Sequence, residues 1–464
     1  MKRSSLPFHL LAVLALATAV LASGQAAAPL APTPPLGWNS WDAYASTITE
    51  AQFKADVAWF HQHLQPFGWQ YVVIDEGWYA AHPESSTALG YTISPDGRYL
   101  PALNRFPSAG PQHSFKPLAD YVHSLGLSFG IHIIRGIPRA AVEKNLAIAG
   151  SDFHADDAAN RSDICRWNSD NYGIKDNAAG QAYYDSILKL YASWGVDFLK
   201  VDCISEPYHA ASIRMIDEAI RKAGRPIVLS LSPGPTPISE AADVSKRAQQ
   251  WRISDDFWDI WSGPQNQTGF PANIKTHFGL LAEWEPWAGP GHWPDGDMLP
   301  IGYLGPHPGW GQPRQSRLTH TEQRTLITLW SIARSPLILG ANLTRMDAAT
   351  TALLTNPEVL AVDQHTTGNH PVLEAGKGSD ASAGGNIVIW VAREGSSTIL
   401  AVFNRSDAPA RVTTPPWDKL GSQFGLDQTS YSVRDLWARK TLGRRSSLNV
   451  TLPAHGSALF QLIP

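Results

Sequence analysis

Residues Tyr71–Trp78 read YVVIDEGW, an unbroken apolar run that closes on two adjacent acids. A short apolar run with no polar alternation is the pattern of a strand covered on both faces, as in a parallel sheet. Just upstream, Phe53, Val57, Phe60 and Leu64 recur at helical spacing, and Gly68 ends that helix. The tetrapeptide Thr47-Ile-Thr-Glu50 reads as its capping box. Strand, helix and strand again is the βαβ grammar of a parallel sheet.

The cycle continues along the chain. Before Tyr71–Trp78 lies a strand-like run, Leu36–Trp41; after it come a helix near Phe115–Leu125 and a strand at Ser128–Ile134. Helices near Gln181–Trp194, Tyr208–Ala223 and Ala241–Arg247 precede strands at Asp197–Cys203, Ile227–Ser232 and Gln250–Asp255. A helix near Ile274–Trp287, the segment His292–Ile301, a helix near Thr321–Ile332 and a strand at Leu337–Leu343 complete the series. Eight strand-like runs separated by helices, with no Gly-x-Gly-x-x-Gly after the first, predict a closed (β/α)8 TIM barrel over residues 32–366. Beyond it the helical period disappears. Asn386–Arg393, Thr398–Asn404, Tyr431–Leu436 and Ala458–Leu462 read as strands between Gly, Ser, Asp and Pro turns. They predict a small antiparallel β-sandwich over residues 370–464, with 378–385 as a loop.

The chain has 464 residues, 43% hydrophobic and 17% charged, with a formal net charge of −4. That balance leaves no basic footprint for nucleic acid or an anionic membrane. Lys2 and Arg3 precede an apolar run from Leu6 to Leu21 and small residues up to Ala28. This is the layout of a secretory signal peptide, residues 1–28, cleaved after Gly24 or Ala28. It predicts a secreted or periplasmic protein with no membrane segment once the signal is removed. Two cysteines, Cys165 and Cys203, invite a disulfide in an exported chain and lack zinc-site spacing. The eighteen Trp residues suit a core, and equally a cleft that stacks flat faces on sugar rings.

In such a barrel the chemistry sits at the C-terminal ends of the strands. Acids crowd there: Asp75 and Glu76, Asp202, Asp255 and Asp256, Asp295 and Asp297. Any one of them could cap a helix; together on one face they call for hydroxyls or a cation to bind. Sugars supply hydroxyls, and a divalent cation is the competing occupant. Glycoside cleavage needs two carboxyl groups, one as nucleophile or base and one as acid. Lys200 stands two residues before Asp202, so both side chains leave the strand on one face, where their pairing would keep Asp202 ionised. Arg252 points into the pocket and an acid after it stands at the rim, with Trp251 and Trp258 as dry surroundings. Spacing alone does not choose between Asp255 and Asp256.

Seven ordered motifs settle what the chain resembles: PPLGWNSW (Pro34–Trp41), YVVIDEGW, FLKVDC (Phe198–Cys203), WRISDD (Trp251–Asp256), WPDGDMLPIG (Trp293–Gly302), ARSPLILGANL (Ala333–Leu343) and LLTNPEVLAVDQ (Leu353–Gln364). The sequence resembles glycoside hydrolase family 27, the clan D α-galactosidase and α-N-acetylgalactosaminidase family. The resemblance implies a retaining α-galactosidase-type hydrolase, without cofactor or metal, that takes oligo- or polysaccharides with α-galactosyl-like ends. It implies Asp202 as nucleophile and Asp256 as acid/base, with sugar contacts at Trp41, Asp75, Lys200, Arg252 and Asp297. It also implies a Cys165–Cys203 bridge. Three positions depart from the family pattern and line the expected sugar site: Glu76 for the second Asp of a pair, His132 for a Tyr, and Ser232 where galactosidases carry a Cys-Glu-Trp segment. They leave open another glycone, β-L-arabinopyranose first and isomalto-linked glucose second. A catalytically silent sugar-binding scaffold is the reading from a different class.

Overall fold

The computed structural model describes residues 29–85, 87–373, 385–420 and 422–464. The expected signal peptide, and residues 378–384 of the expected loop, lie outside the described residues. Eight parallel strands run β1 (Leu36–Asn39), β2 (Tyr71–Ile74), β3 (Ser128–Ile134), β4 (Phe198–Asp202), β5 (Val228–Leu231), β6 (Gln250–Arg252), β7 (Trp293–Asp295) and β8 (Leu337–Leu339). Their spatial order is β7-β6-β5-β4-β3-β2-β1-β8. Beyond β7, Leu299 closes the ring: its N–H donates to the Ile338 carbonyl at 2.7 Å, and its own carbonyl accepts from Gly340. Several strands are shorter than their apolar runs suggest: Asp75, Glu76, Asp255 and Asp256 belong to the loops at the barrel mouth, whereas Asp202 and Asp295 end β4 and β7.

The strands pack closely because small residues sit where neighbours crowd. A Cβ on Gly130 of β3 would meet Val73 at 2.8 Å and Phe198 at 3.0 Å. Helix α1 (Glu50–His63) begins two residues later than expected. Its N-cap is Thr49, whose backbone N–H donates to Gln52 Oε1 at 2.9 Å while Gln52 N–H returns to the Thr49 hydroxyl. Thr47 instead ends a 3-10 turn, Ala45–Thr47, with its hydroxyl donating to the Tyr44 carbonyl, and Glu50 is occupied by Lys54 and the Ser108 N–H. The capping box is therefore Thr49–Gln52 rather than Thr47–Glu50.

Between β3 and β4 the chain makes an excursion not expected from sequence, a three-stranded sheet of Ile137–Pro138, Ala159–Ile164 and Asn171–Ile174. It carries residues 165–170 over the barrel mouth. After β8, six antiparallel strands form one sheet in the order β9 (Thr367–Leu373), β10 (Ile387–Glu394), β11 (Ser397–Asn404), β16 (Ser457–Ile463), β13 (Tyr431–Asp435) and β14 (Lys440–Arg445). Strands β12 (Ala410–Thr413) and β15 (Asn449–Leu452) pair separately. Leu400, Val402, Trp417, Val433 and Leu462 fill the space between the sheets. The sandwich docks on α2 (His320–Ala333), whose Thr325 hydroxyl donates to the His455 carbonyl at 2.7 Å. Among the described residues no helix is long and apolar enough to cross a membrane.

Candidate active site

A cleft of about 380 Å3 opens at the C-terminal mouth of the barrel, lined by Trp41, Asp75, Glu76, Lys200, Asp202, Ser232, Asp255 and Asp256 among others. The period-2 geometry of β4 sends Lys200 and Asp202 to the same side, as expected, but they do not pair with each other. The Lys200 ammonium donates to Asp75 Oδ2 at 2.9 Å, and the Asn39 amide donates to the same oxygen at 2.6 Å. Burial alone would raise the Asp75 pKa, but Lys200 and His132 override it and hold the carboxyl well below its usual range. Asp75 is therefore an ionised acceptor at the floor of the cleft.

Asp202 takes other partners. His132, paired in register with Lys200 on the neighbouring strand, approaches Asp202 Oδ2 with Nε2 at 3.2 Å. The Trp167 indole N–H donates to Asp202 Oδ1, also at 3.2 Å. Burial would lower the His132 pKa, yet Asp75 and Asp202 raise it above its ordinary value. An imidazolium there stabilises both carboxylates, so the positive charge expected from Lys200 reaches Asp202 through His132 as well.

Across the cleft, Arg252 is buried and reaches Asp297 at 2.6 Å and Asp256 Oδ1 at 3.2 Å. Asp297 also accepts from the Phe257 N–H at 2.7 Å, a bond that its left-handed backbone (φ +88°) accompanies. Asp256 is 41% exposed to the cleft. Although the carboxyl opens onto the cleft, the surrounding walls desolvate it and raise its pKa, against Arg252 and Lys200 and with help from Asp202 and Asp255. Asp255 has a different task. It accepts from the Asp256 N–H at 2.7 Å and from the Thr268 hydroxyl, which anchors the loop. The two acids thus differ in their partners, which spacing alone could not tell. Of the two tryptophans expected to dry the site, Trp258 lines the cleft, whereas Trp251 is buried in the core against Trp284. The side chain of Trp251 alternates away from that of Arg252 on β6, so it cannot face the mouth.

Residues 171–365 match the family described as alpha galactosidase A, and residues 384–462 match the alpha galactosidase C-terminal beta sandwich domain. Alpha-galactosidase 3 of Arabidopsis thaliana is 30% identical, covering 94% of this chain and 83% of that protein. Alpha-galactosidase A of Cellvibrio japonicus is 28% identical, covering 97% of each. The crystal structure of a family 27 β-L-arabinopyranosidase from Geobacillus stearothermophilus is 42% identical, covering 94% of this chain and 97% of that one, with a TM-score of 0.85. The chain belongs to glycoside hydrolase family 27.

In this family 27 glycoside hydrolase of the α-galactosidase type, two cation-centred groups gather at the barrel mouth: Lys200 with Asp75, and Arg252 with Asp256 and Asp297, where Arg252 and Asp297 lie buried and do not themselves line the cleft. Among the described residues, no group of three or more His, Cys, Asp or Glu side chains is disposed to hold a metal ion. The Cys165–Cys203 disulfide is present, with a Cα–Cα distance of 6.0 Å. It fastens the excursion after β3 to the residue that follows Asp202. That fastening delivers residues the sequence reading missed. The Asn168 amide donates to Glu76 Oε1 at 2.7 Å, and Trp167 reaches Asp202. Asp170 secures the segment from below, accepting from the hydroxyls of Tyr79 and Tyr91. The only signal in the sequence was the polar stretch after Cys165, which reads as an ordinary loop.

The three departing positions all come to the cleft region. Ser232 lines it directly, and His132 lies beneath between Asp75 and Asp202. Glu76 is half-buried at the wall, its pKa pushed up to about 7 by burial, with Asp202, Asp75 and Asp170 adding to the shift and His132 opposing it. Its carboxyl bonds Asn168, so it is fixed in the wall of the cleft.

Proposed function

We propose that the enzyme is a retaining exo-glycosidase for sugars of galacto configuration, with β-L-arabinopyranosides preferred over α-D-galactosides. The two glycones share the axial 4-hydroxyl and differ by the C6 hydroxymethyl group. The observation that carries the preference is Glu76, one methylene longer than the Asp that galactosidases hold there. Its carboxyl is fixed by Asn168 at 2.7 Å beside Asp75, where the C6 group of a galactoside would need room. The 42% identity to a β-L-arabinopyranosidase, against 30% and 28% to the two α-galactosidases named above, supports the same choice. The α-galactosidase relatives favour retained, slower cleavage of α-galactosides.

In the proposed mechanism, Asp75, Lys200, Arg252 and Asp297 hold the sugar hydroxyls and Trp41 offers a flat face to the ring. A carboxylate oxygen of Asp202 attacks C1 while the bond from C1 to the leaving oxygen breaks. Asp256 transfers its proton to that oxygen, releasing an alcohol and leaving a glycosyl ester on Asp202. Water then attacks C1, giving its proton to Asp256, and the ester bond breaks. Two inversions retain the anomeric configuration. The raised pKa of Asp256 supports its role as proton donor, and the His132 and Trp167 contacts support an Asp202 held in place for attack. Export is supported by the amino-terminal Lys2-Arg3 and apolar run, and by a disulfide suited to an oxidising compartment.

The test is kcat/KM for nitrophenyl β-L-arabinopyranoside, α-D-galactopyranoside and α-N-acetylgalactosaminide, side by side. The arabinoside should lead. If the galactoside is cleaved as fast or faster, Glu76 does not select the sugar.

A further inference from the structure

We propose that the two oxygens of Asp202 have separate tasks: Oδ1 attacks the sugar, while Oδ2 stays with His132, whose bond speeds the second step, breakdown of the glycosyl-enzyme. The inference rests on the double displacement at Asp202 proposed above, and it gives His132 a part in one of the two steps rather than in sugar binding. His132 does not line the cleft, so its effect reaches the sugar only through Asp202.

The two oxygens have unlike surroundings. Oδ1 accepts from the Trp167 indole, which is half-exposed and lines the cleft. Oδ2 meets Nε2 of His132, a ring with no exposed surface. A sugar entering the cleft can displace the indole from Oδ1, but it has no access to the bond between Oδ2 and His132. That ring is held firmly. Its backbone carbonyl accepts from the Trp78 indole N–H at 2.7 Å, and β3 sets it opposite Lys200 on β4. Its Nδ1 has no hydrogen-bond partner among the described residues, while Nε2 lies between Asp202 and Asp75, whose Oδ1 is 3.9 Å away. Burial opposes a charge on the ring, but the two carboxylates outweigh it and raise its pKa.

A charged donor bonds a carboxylate more strongly than an ester carbonyl, whose oxygen carries much less negative charge. When Oδ1 attacks C1, Asp202 gives up its charge and the bond from His132 to Oδ2 weakens. In the second step water attacks C1, its proton passes to Asp256, and the bond between C1 and Oδ1 breaks. The electron pair returns to Asp202, and the carboxylate re-forms against a donor already in place. An interaction that strengthens as charge develops accelerates only the step in which it develops. His132 therefore opposes formation of the ester and hastens its hydrolysis, which frees the enzyme for the next turnover.

The experiment times the two steps separately with a fluorinated, activated glycoside of whichever sugar the wild type prefers. Loss of activity gives the rate of ester formation, and return of activity after the reagent is removed gives the rate of its breakdown. His132→Gln keeps a neutral N–H donor near the place of Nε2, and His132→Phe keeps none; thermal melting shows that each variant is folded. In His132→Gln the ratio of breakdown to formation should fall about tenfold, the difference between a charged and a neutral donor. In His132→Phe it should fall further. A ratio equal to that of the wild type in His132→Gln, with both rates unchanged or both lowered alike, would make His132 a mere support of Asp202 and overturn the proposal. If the wild-type label sits on an acid other than Asp202, the double displacement at Asp202 has failed rather than the task of His132.

Discussion

Glu76→Asp should turn the enzyme towards galactosides. Glu76 and Asp75 stand together at the end of β2, and the Glu76 carboxyl is held by Asn168 at 2.7 Å. Removing one methylene withdraws the carboxyl by about 1.5 Å, one carbon–carbon bond. The Asn168 contact would then stretch to about 4 Å, too long for a hydrogen bond. The space opened is about one methylene, enough for part of a C6 hydroxymethyl group. Discrimination of that size is worth about 1–3 kcal/mol, or roughly 10- to 200-fold, and partial room argues for the lower end. The ratio of kcat/KM for nitrophenyl α-D-galactopyranoside to that for β-L-arabinopyranoside should therefore rise about tenfold. The change should appear in the ratio even if loss of the Asn168 bond lowers both values. A ratio unchanged within about twofold, which is under 0.5 kcal/mol, would refute the steric reasoning.

Asp256→Ala should slow natural oligosaccharides far more than nitrophenyl glycosides, whose leaving groups need little protonation, and azide should rescue it as a glycosyl azide of retained configuration. The same variant should lose the alkaline limb of the kcat/KM profile, because that limb reports deprotonation of an acid whose pKa is raised. The Asp255→Ala variant showing this behaviour in its place would exchange the two roles. The double variant Cys165→Ser/Cys203→Ser removes a crosslink spanning 38 residues, which loop-closure entropy values at about 4 kcal/mol. Thermal melting should show the loss, and turnover should fall as Trp167 and Asn168 lose their anchor. Lys200→Met should cost about 3 kcal/mol, the lower end of the range for a buried pair that loses one partner, because His132 still faces Asp75. The Asp75 pKa is depressed when folded, so the stability it adds is present above about pH 4 and lost on acidification; the melting gap between variant and wild type should narrow there.

The barrel was legible in the sequence because each strand is a mostly apolar run covered on both faces. The charged residues within or at the ends of those runs, Lys200 and Arg252 as well as the acids, were legible because they stand out against buried strands. Their pairing was not. Strand period places Lys200 and Asp202 on one face, but it cannot say that Asp75, arriving from β2, lies closer to the ammonium than Asp202 does. Asn168 and Asp170 were illegible because their position depends on a disulfide and on two tyrosine hydroxyls distant in sequence. Trp251 and Trp258 look alike in sequence, and only the direction of β6 separates core from cleft. Short helices such as Ala348–Leu354 and Pro357–His365, and strands such as β12 and β15, carry too few residues to establish a period.

The central claim is that Asp202 becomes covalently glycosylated, and mechanism-based labelling tests it directly. The wild-type enzyme would be incubated with a fluorinated, activated glycoside of the preferred sugar, digested, and the modified peptide sequenced by mass spectrometry. One fluorosugar on Asp202, absent in Asp202→Asn, is the result expected. A label on Asp256, Glu76 or any other acid, or turnover with no trapped intermediate and inverted product, would contradict the account.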